Sequence, residues 1–311
     1  MDELAGGICR ITLPLPMELD HVHCYLLPGA DGWTLVDTGF GAPVLAERWR
    51  ELLAGLPGPV ARIVITHFHP DHVGGARDAV EATGAPVLQG ALDYQECERV
   101  WGSANWAGPL SDWFASNGVP RALADDLLET SQAIRPFIGY ARDPELLHAG
   151  DRVEGWLVGE FPGHADGHIC LLADDVLIAG DHLLPRISPA IGLYPDARPD
   201  PLGDYLASLQ RTIELAPRLA LPGHGEPILD PVGRAEELID HHRRRLDATE
   251  ALLDGHPRSG YELSLGLFPD AERPIQRRFA VAETLAHLER LVLTERAART
   301  DDGRSLTYTA A

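Results

Sequence analysis

The stretch ITHFHPDHVGG, residues 65–75, places three histidines and an aspartate within six positions of one another. These side chains, His67, His69, Asp71 and His72, directly follow a short apolar run. Alternate residues beyond the end of a strand can point the same way, so His67 and His69 can share one metal ion while Asp71 and His72 face a neighbouring point. Imidazole and carboxylate together suit zinc, with iron or manganese as alternatives. The stretch therefore predicts a strand that ends in a metal site.

Three later segments carry further ligand types at the ends of predicted strands. A catalytic metal ion needs about three protein ligands and an open position, more than the first stretch provides for two ions. FPGHADGH places His164 after a strand, LIAGDH does so for Asp181, and LPGHGEP for His224. Each lies beside a glycine, which allows close approach of the main chain. Asp181 is the natural bridge, because its two oxygens can bind two cations. The predicted metal ligands are His67, His69, Asp71, His72, His164, Asp181 and His224, with two zinc ions per chain.

The order of predicted elements indicates a mixed α+β fold. Strands joined by short turns alternate with strands joined by helices, which favours two mixed β-sheets packed face to face with helices outside. Residues 92–147 have a helix-forming composition without strand character and are interpreted as a helical insertion that covers one side of the core. We assign residues 1–230 to this catalytic domain.

The pattern changes after Pro231. Residues 231–311 contain two long helical patterns, one with Val281, Leu285, Leu288 and Val292 on a single face, and end in two short β-prone runs around an Asp-Gly turn. Helices followed by a hairpin predict a small winged-helix-like C-terminal domain.

The motifs H-x-H-x-D-H, G-H, G-D and G-H-G, in this order, resemble the metallo-β-lactamase superfamily over residues from about 8 to 230. The resemblance implies an αββα sandwich with a binuclear metal site. It implies that His67, His69 and His164 hold one ion, that Asp71, His72 and His224 hold the other, and that Asp181 bridges the two. The C-terminal segment resembles the winged-helix tail of one branch of that superfamily, which includes an endoribonuclease.

A binuclear site of this kind implies hydrolysis by activated water. Water held between two cations becomes hydroxide near neutral pH and can attack an electrophilic carbonyl or phosphorus. Asp71 and Asp181 are the expected catalytic residues, Asp71 by orienting the water and Asp181 by bridging the cations. The cations stabilise the oxyanion that develops, so no serine nucleophile is needed.

Composition limits the location and the partners. The formal net charge is −21, and residues 231–311 hold 12 arginines against 14 acidic residues, so the negative charge is concentrated in the first 230 residues. This balance argues against nucleic-acid binding without excluding it, and against anionic membranes. Four scattered cysteines, no basic N-terminal segment and no long apolar run predict a cytoplasmic protein with reduced thiols and no membrane span. A homodimer is left open.

Three functions compete. The acidic chain and the aromatic-rich insertion favour a hydrolase that acts on a small-molecule ester, thioester or lactone. A metal-dependent phosphodiesterase or endoribonuclease acting on single-stranded RNA is the alternative, supported by the winged-helix-like tail. A non-catalytic binding module is disfavoured by the complete ligand set.

Several residues remain without an assigned role. His168 is expected to support the site without binding metal, because it begins the next strand. His182 can face either the pocket or the core. Arg186 and Tyr194 lie in a Pro-rich loop after Asp181 that can line a substrate pocket.

Overall fold

The computed structural model describes residues 1–16 and 19–311. Within this part of the chain, none of the helices combines the length and apolar character that a membrane span needs. The contacts divide the chain into two compact units, each formed from three segments. The first unit contains residues 1–103, 135–189 and 212–234, and the second contains residues 104–134, 190–211 and 235–311.

The first sheet of the first unit has seven strands in sequence order. The first four strands pair antiparallel, whereas the fourth to the seventh pair in parallel. Its strands are β1 (Asp2–Glu3), β2 (Cys9–Pro14), β3 (His21–Gly29), β4 (Gly32–Val36), β5 (Val60–Ile65), β6 (Val87–Gly90) and β7 (Glu145–Leu147).

The second sheet of this unit has five strands. Its strands are β8 (Arg152–Val153), β9 (Trp156–Glu160), β10 (Ile169–Ala173), β11 (Val176–Gly180) and β12 (Leu219–Pro222). Their spatial order is β12-β11-β10-β9-β8, and only β11 and β12 are parallel. Val36 and Val64 of the first sheet belong to the same buried cluster as Val158 and Leu171 of the second. The predicted pair of packed mixed sheets is therefore confirmed.

Helices connect the parallel strands of the first sheet. In α1, Leu45 and Trp49 are one helical turn apart and buried, and the Trp49 indole donates a hydrogen bond to the Thr38 carbonyl at 2.9 Å.

The α-helices of the two units, in chain order, are α1 (Pro43–Ala54), α2 (Pro70–Val73), α3 (Ala76–Thr83), α4 (Ala91–Cys97), α5 (Ala107–Ser116), α6 (Arg121–Ile134), α7 (Pro201–Leu215), α8 (Pro231–Ala251), α9 (Gly260–Leu267) and α10 (Pro274–Leu293).

The composition of residues 92–147 predicts no strand, and this prediction is wrong at the C-terminal end of the segment. There β7 extends the sheet by pairing in parallel with β6. Three residues are too few for an alternation of apolar and polar side chains to be recognised in the sequence. Such an edge strand forms because its main chain is hydrogen-bonded to the neighbouring strand. The contacts also place residues 104–134, which include α5 and α6, in the second unit.

The second unit contains helices and a small antiparallel sheet. The strands β13 (Arg258–Ser259), β14 (Ala297–Asp301) and β15 (Leu306–Ala310) are ordered β13-β15-β14. The hairpin predicted around Asp302 is confirmed by the pairing of β14 with β15. On α10, the predicted apolar face is buried at Val281, Leu285 and Leu288, whereas Val292 is half-buried.

Two buried histidines link α8 to α10 in the second unit. His287 Nδ1 donates to the Glu283 carbonyl at 2.8 Å, and its Nε2 lies 3.4 Å from His242 Nδ1. Both side chains are fully buried. Burial lowers the pKa of His242 to about 2, with His287 adding to the effect, and lowers the pKa of His287 to about 4.

These histidines predict an acid-sensitive second unit. Below pH 6.5 the two histidines of the unfolded chain bind protons, whereas those of the folded protein stay neutral down to about pH 4. The free energy of unfolding therefore falls as the pH falls from 6.5 to 4. The loss is at most about 1.4 kcal/mol per pH unit for each histidine. Burial raises the pKa of Glu283 to about 7, which opposes part of this loss. The variant H242Q/H287Q should therefore show a shallower fall in unfolding free energy between pH 6.5 and pH 4.5, measured by chemical denaturation. A slope equal to that of the unsubstituted protein would contradict this prediction.

Candidate metal centre

The first stretch of candidate ligands lies where β5 ends. Strand β5 stops at Ile65, His67 follows two residues later, and His69 is the N-cap residue of the short helix α2 with Pro70 in its first turn. Asp71 and His72 are in that first turn as well. An aspartate at a helix N-terminus is favourable because its charge faces the positive end of the helix dipole.

The other three candidates lie after strands of the second sheet. His164 follows β9, Asp181 follows β11, and His224 follows β12. Because β11 and β12 are parallel, their carboxyl ends meet at one edge of the sheet. Gly180, just before Asp181, has a φ of +49°, a conformation in which glycine is favoured.

The structure brings the seven predicted side chains together in overlapping groups. One group contains His67, His69 and His164, a second contains His67, His72 and Asp181, and a third contains Asp71, His72 and His224; within each, the ligand atoms lie within 4.8 Å of one another.

Asp181 lies between these groups. Its Oδ1 is 3.4 Å from His72 Nε2, and its Oδ2 is 3.7 Å from His164 Nε2 and 3.4 Å from His224 Nε2. Asp71 Oδ2 lies 3.2 Å from His224 Nε2. The carboxylate of Asp181 therefore faces imidazoles of all three groups.

The donor atoms fit divalent cations. Among residues 1–16 and 19–311, no hydrogen-bond partner is found for the buried Nε2 atoms of His67, His72 and His224 or for Oδ1 of Asp181. Such buried atoms are costly unless a group such as a metal ion satisfies them. These four potential metal-ligand atoms, which lack hydrogen-bond partners, are thus the strongest local indication of a metal site.

The electrostatics of the site also call for positive charge. Burial favours the neutral carboxyl of Asp71, but His72 and His224 outweigh burial and lower its pKa to about 2. Burial disfavours the imidazolium of His224, yet Asp181 and Asp71 raise its pKa to about 10. Without a cation, the imidazoles themselves carry the charge that the carboxylates require.

Sequence reasoning missed Asp37, which orients two of the candidate ligands. Its Oδ1 accepts the Thr66 N–H and its Oδ2 accepts the Thr66 hydroxyl and His72 Nδ1, each at 2.8 Å. The Thr66 hydroxyl therefore accepts from His67 Nδ1, at 3.0 Å. With both Nδ1 atoms donating, the Nε2 lone pairs of His67 and His72 face the centre. The position of Asp37 could have revealed it, because Asp37 follows β4, and β4 ends at the same edge of the sheet as β5.

Two further contacts fix the ligands from the second sheet. His224 Nδ1 donates to the His21 carbonyl at 2.6 Å, which leaves its Nε2 for the centre. His168 Nε2 accepts the Asp181 N–H at 3.1 Å, and its ring is stacked on His67 with centroids 4.8 Å apart. His168 therefore supports the site from behind.

The side chains whose roles the sequence leaves open lie in different places. His182 is buried in the core, with Nε2 2.7 Å from the Thr212 hydroxyl and its ring against Phe161. Arg186 is exposed. Tyr194 belongs to the second unit, where its ring lies 6.2 Å from that of Trp113. A pocket-lining role for Arg186 and Tyr194 stays a prediction.

Two family models match this chain. The model described as metallo-beta-lactamase superfamily matches residues 17–224, and the model described as metallo-beta-lactamase-like, C-terminal domain, matches residues 246–310. Together they span the candidate ligands, α9, α10 and the C-terminal hairpin.

Named relatives of known sequence include hydrolases. The chain is 29% identical over 305 residues to the probable metallo-hydrolase YqjP of Bacillus subtilis, with 93% of each chain covered. It is 25% identical over 255 residues to an atrochrysone carboxyl ACP thioesterase of Aspergillus fumigatus, covering 79% of this chain and 64% of that protein.

Two solved structures are similar over nearly the whole chain. The metallo-beta-lactamase family protein TTHA1429 of Thermus thermophilus is 37% identical with a TM-score of 0.86, covering 98% of this chain and 99% of that one. A beta-lactamase domain protein of Burkholderia ambifaria is 31% identical with a TM-score of 0.88, covering 100% and 94%.

Proposed function

Because the chain belongs to the metallo-beta-lactamase superfamily and is a metallo-hydrolase, we propose that it binds two zinc ions and hydrolyses a small-molecule ester, thioester or lactone. The observation that carries this proposal is the set of four buried donor atoms without hydrogen-bond partners in the described chain. A structural histidine cluster would be expected to satisfy those atoms internally.

Two of the three overlapping groups support the ligand assignment that we propose. His67, His69 and His164 would hold one ion, and Asp71, His72 and His224 would hold the other. Neither of these two sets includes Asp181, whose carboxylate would be shared between the ions. Zinc is the first choice because imidazole and carboxylate suit it, while iron and manganese accept the same donors.

Bound there, the cations would acidify water and polarise the substrate carbonyl. The residues of the chain would hold and orient the reactants. The Asp71 side chain is 15% exposed, against 0% for His72 and 4% for His224, so Asp71 is the member of its ligand set that is most accessible to water. We propose that Asp71 orients the attacking water by accepting its hydrogen bond.

Four of the twelve arginines in residues 231–311 support a small substrate over RNA. Arg245 donates to the Leu267 carbonyl, and Arg277 donates to the Ser264 carbonyl, both near the C-terminus of α9. Arg296 pairs with Asp247 and Arg299 with Glu289. A nuclease that follows a phosphate backbone needs free cations in a groove. These four side chains are already engaged, and the chain carries a formal charge of −21.

The relative named as a thioesterase supports the acyl class, and for this reason we propose thioesters ahead of esters and lactones. A metal-dependent phosphodiesterase or an endoribonuclease acting on single-stranded RNA is the second candidate. We retain this second candidate because residues 246–310 match the family model of a metallo-beta-lactamase-like C-terminal domain. The winged-helix-like domain that we propose for this region is of a kind that can bind nucleic acid.

Protein purified without chelator should contain close to two metal ions per chain. The reason is that the seven candidate side chains can complete two ligand sets, whereas one ion would leave several buried donor atoms unsatisfied. Elemental analysis measures this directly, before and after zinc is offered. Protein that retains no transition metal under both conditions would remove the proposed mechanism.

A hydrolysis screen of the metal-loaded protein separates the two candidate functions. Thioester, ester, lactone, phosphodiester and single-stranded RNA substrates should be compared at equal protein concentration, with chelator-treated protein as the control. We expect turnover of at least one acyl substrate and none of RNA. Metal-dependent RNA cleavage without acyl turnover would reverse the order of the candidates.

A further inference from the structure

Phe68, the residue between two of the candidate ligands, is held by side chains at both ends of its main chain. Its N–H donates to Asp93 Oδ1 at 2.8 Å, and its carbonyl accepts the Trp101 indole N–H at 2.8 Å. His67 and His69 flank it directly. All five residues lie in the first unit.

The main-chain torsions of Phe68 decide how His67 and His69 face one another. The two rings are 4.8 Å apart with an angle of 79° between their planes. A functional site must hold such groups within about 0.5 Å and 10–20° of the productive geometry. Only one residue separates the two histidines, so a rotation at Phe68 moves one ring relative to the other with no intervening element to absorb it.

Asp93 is itself fixed from the neighbouring strand. It is fully buried on α4, and its Oδ2 accepts Gln89 Nε2 at 2.5 Å. Gln89 lies on β6 and is the register partner of Ile65 on β5. Asp93 thus ties the turn after β5 to the adjacent strand of the same sheet.

Trp101 is fixed in a different way. It lies in a single π-helical turn, residues 98–102, a conformation that is rare and concentrated at functional sites. The guanidinium of Arg135 donates to the carbonyls of Val100 and Trp101, at 2.5 and 2.8 Å, and to that of Ser103. These bonds satisfy carbonyls at the end of the turn and hold the indole in place.

We propose that Asp93 and Trp101 are positioning residues of the metal site, which fix the main chain of Phe68 from its two ends and so set the relative orientation of His67 and His69. This inference rests on the proposed binding of metal by those histidines. It gives the first part of the helical segment 92–147 a role in building the site, in addition to the covering role predicted from its composition.

The substitution W101F tests this role, because phenylalanine keeps an aromatic ring in place while removing the hydrogen bond to Phe68. Metal-free protein is titrated with Zn²⁺ in competition with a chromophoric chelator. We expect one Zn²⁺ per chain to bind about 10–100-fold more weakly, the usual effect of losing a contact behind a ligand, and the other to change by less than about threefold. The visible absorption of the Co²⁺-loaded variant should also change, since it reports ligand geometry in folded protein.

Asp93 is tested by a pair of substitutions. D93A removes both acceptors and should weaken the same Zn²⁺, whereas D93N keeps an amide oxygen for the Phe68 N–H and should restore part of the affinity. The control is W33F, which makes the same chemical change on β4. Trp33 pairs with Val60, at the end of β5 that is remote from His67.

The outcomes separate this inference from the proposed function. Unsubstituted protein that binds no transition metal overturns both. Unsubstituted protein that binds two Zn²⁺, together with W101F and D93A variants that match it in both affinities and in the Co²⁺ spectrum, overturns the positioning role alone. Loss of stability in the metal-free variants with unchanged metal affinity means that the two residues serve only the fold, and it likewise overturns the proposal.

Discussion

Replacement of Asp181 by alanine is expected to abolish hydrolysis and to lower the metal content below two ions per chain. The Asp181 carboxylate faces His72, His164 and His224 at 3.4–3.7 Å, and losing it would leave the two proposed cations close together without the shared negative charge. We expect kcat/KM to fall by more than about 1,000-fold, equivalent to about 4 kcal/mol of transition-state stabilisation. Steady-state kinetics and elemental analysis of the same preparation measure the two effects together.

The adjacent residue provides a matched control. His182 is buried against Phe161 and contacts the Thr212 hydroxyl, so H182A should lower thermal stability by creating a cavity. It should nevertheless keep both metal ions. If H182A lost the metals and D181A kept them, the assignment of the bridging residue would be shifted by one position and therefore wrong.

Replacement of Gly223 by alanine should disable the site although no ligand is removed. A Cβ at this position would collide with Asp181 Oδ1 and lie 2.6 Å from His72 Cε1. Both are held from behind, Asp181 by His168 and His72 by Asp37, so the collision is relieved only by moving a ligand. A displacement of about 1 Å can lower a rate about 100-fold, and we expect at least this loss in kcat/KM together with weaker metal binding.

The control for this prediction is G58A. Gly58 lies in the same unit, and a Cβ there has open space within 4 Å and requires no unusual backbone conformation. G58A should retain metal content and kcat/KM within about twofold, as expected of a surface substitution. A G223A variant with full metal content and unchanged activity would contradict the packing argument, and would mean that the ligands have more freedom than their hydrogen bonds suggest.

Much of the fold could be predicted because its signals are local. The helical spacing of Val281, Leu285 and Leu288 predicts α10, and the Asp-Gly pair at 302–303 predicts the turn between β14 and β15; both are present. The strand β7 could not be predicted, because three residues at a sheet edge are stabilised by their neighbour and not by their own pattern. The same limit applies to the second unit, which combines α5 and α6 with helices more than 100 residues away.

The candidate ligands that directly follow strands could also be predicted from the sequence. Asp181 and His224 are identifiable because each follows an apolar run and lies beside a glycine, and the parallel strands β11 and β12 bring their carboxyl ends to one edge of the sheet. The structure brings all seven candidates together, while their role as metal ligands stays a proposal.

The sequence by itself determined the chemistry that is available: imidazoles and carboxylates at strand ends, in the order of one superfamily. Only the tertiary structure decided which nitrogen of each imidazole faces the centre, because that depends on the partner of the opposite nitrogen. Asp37 holds His72 from 35 residues away, and the His21 carbonyl holds His224 from 203 residues away. The same holds for His182, whose neighbour Asp181 faces the centre while its own ring turns to Thr212, since the direction of a side chain after a strand depends on packing that no local pattern records.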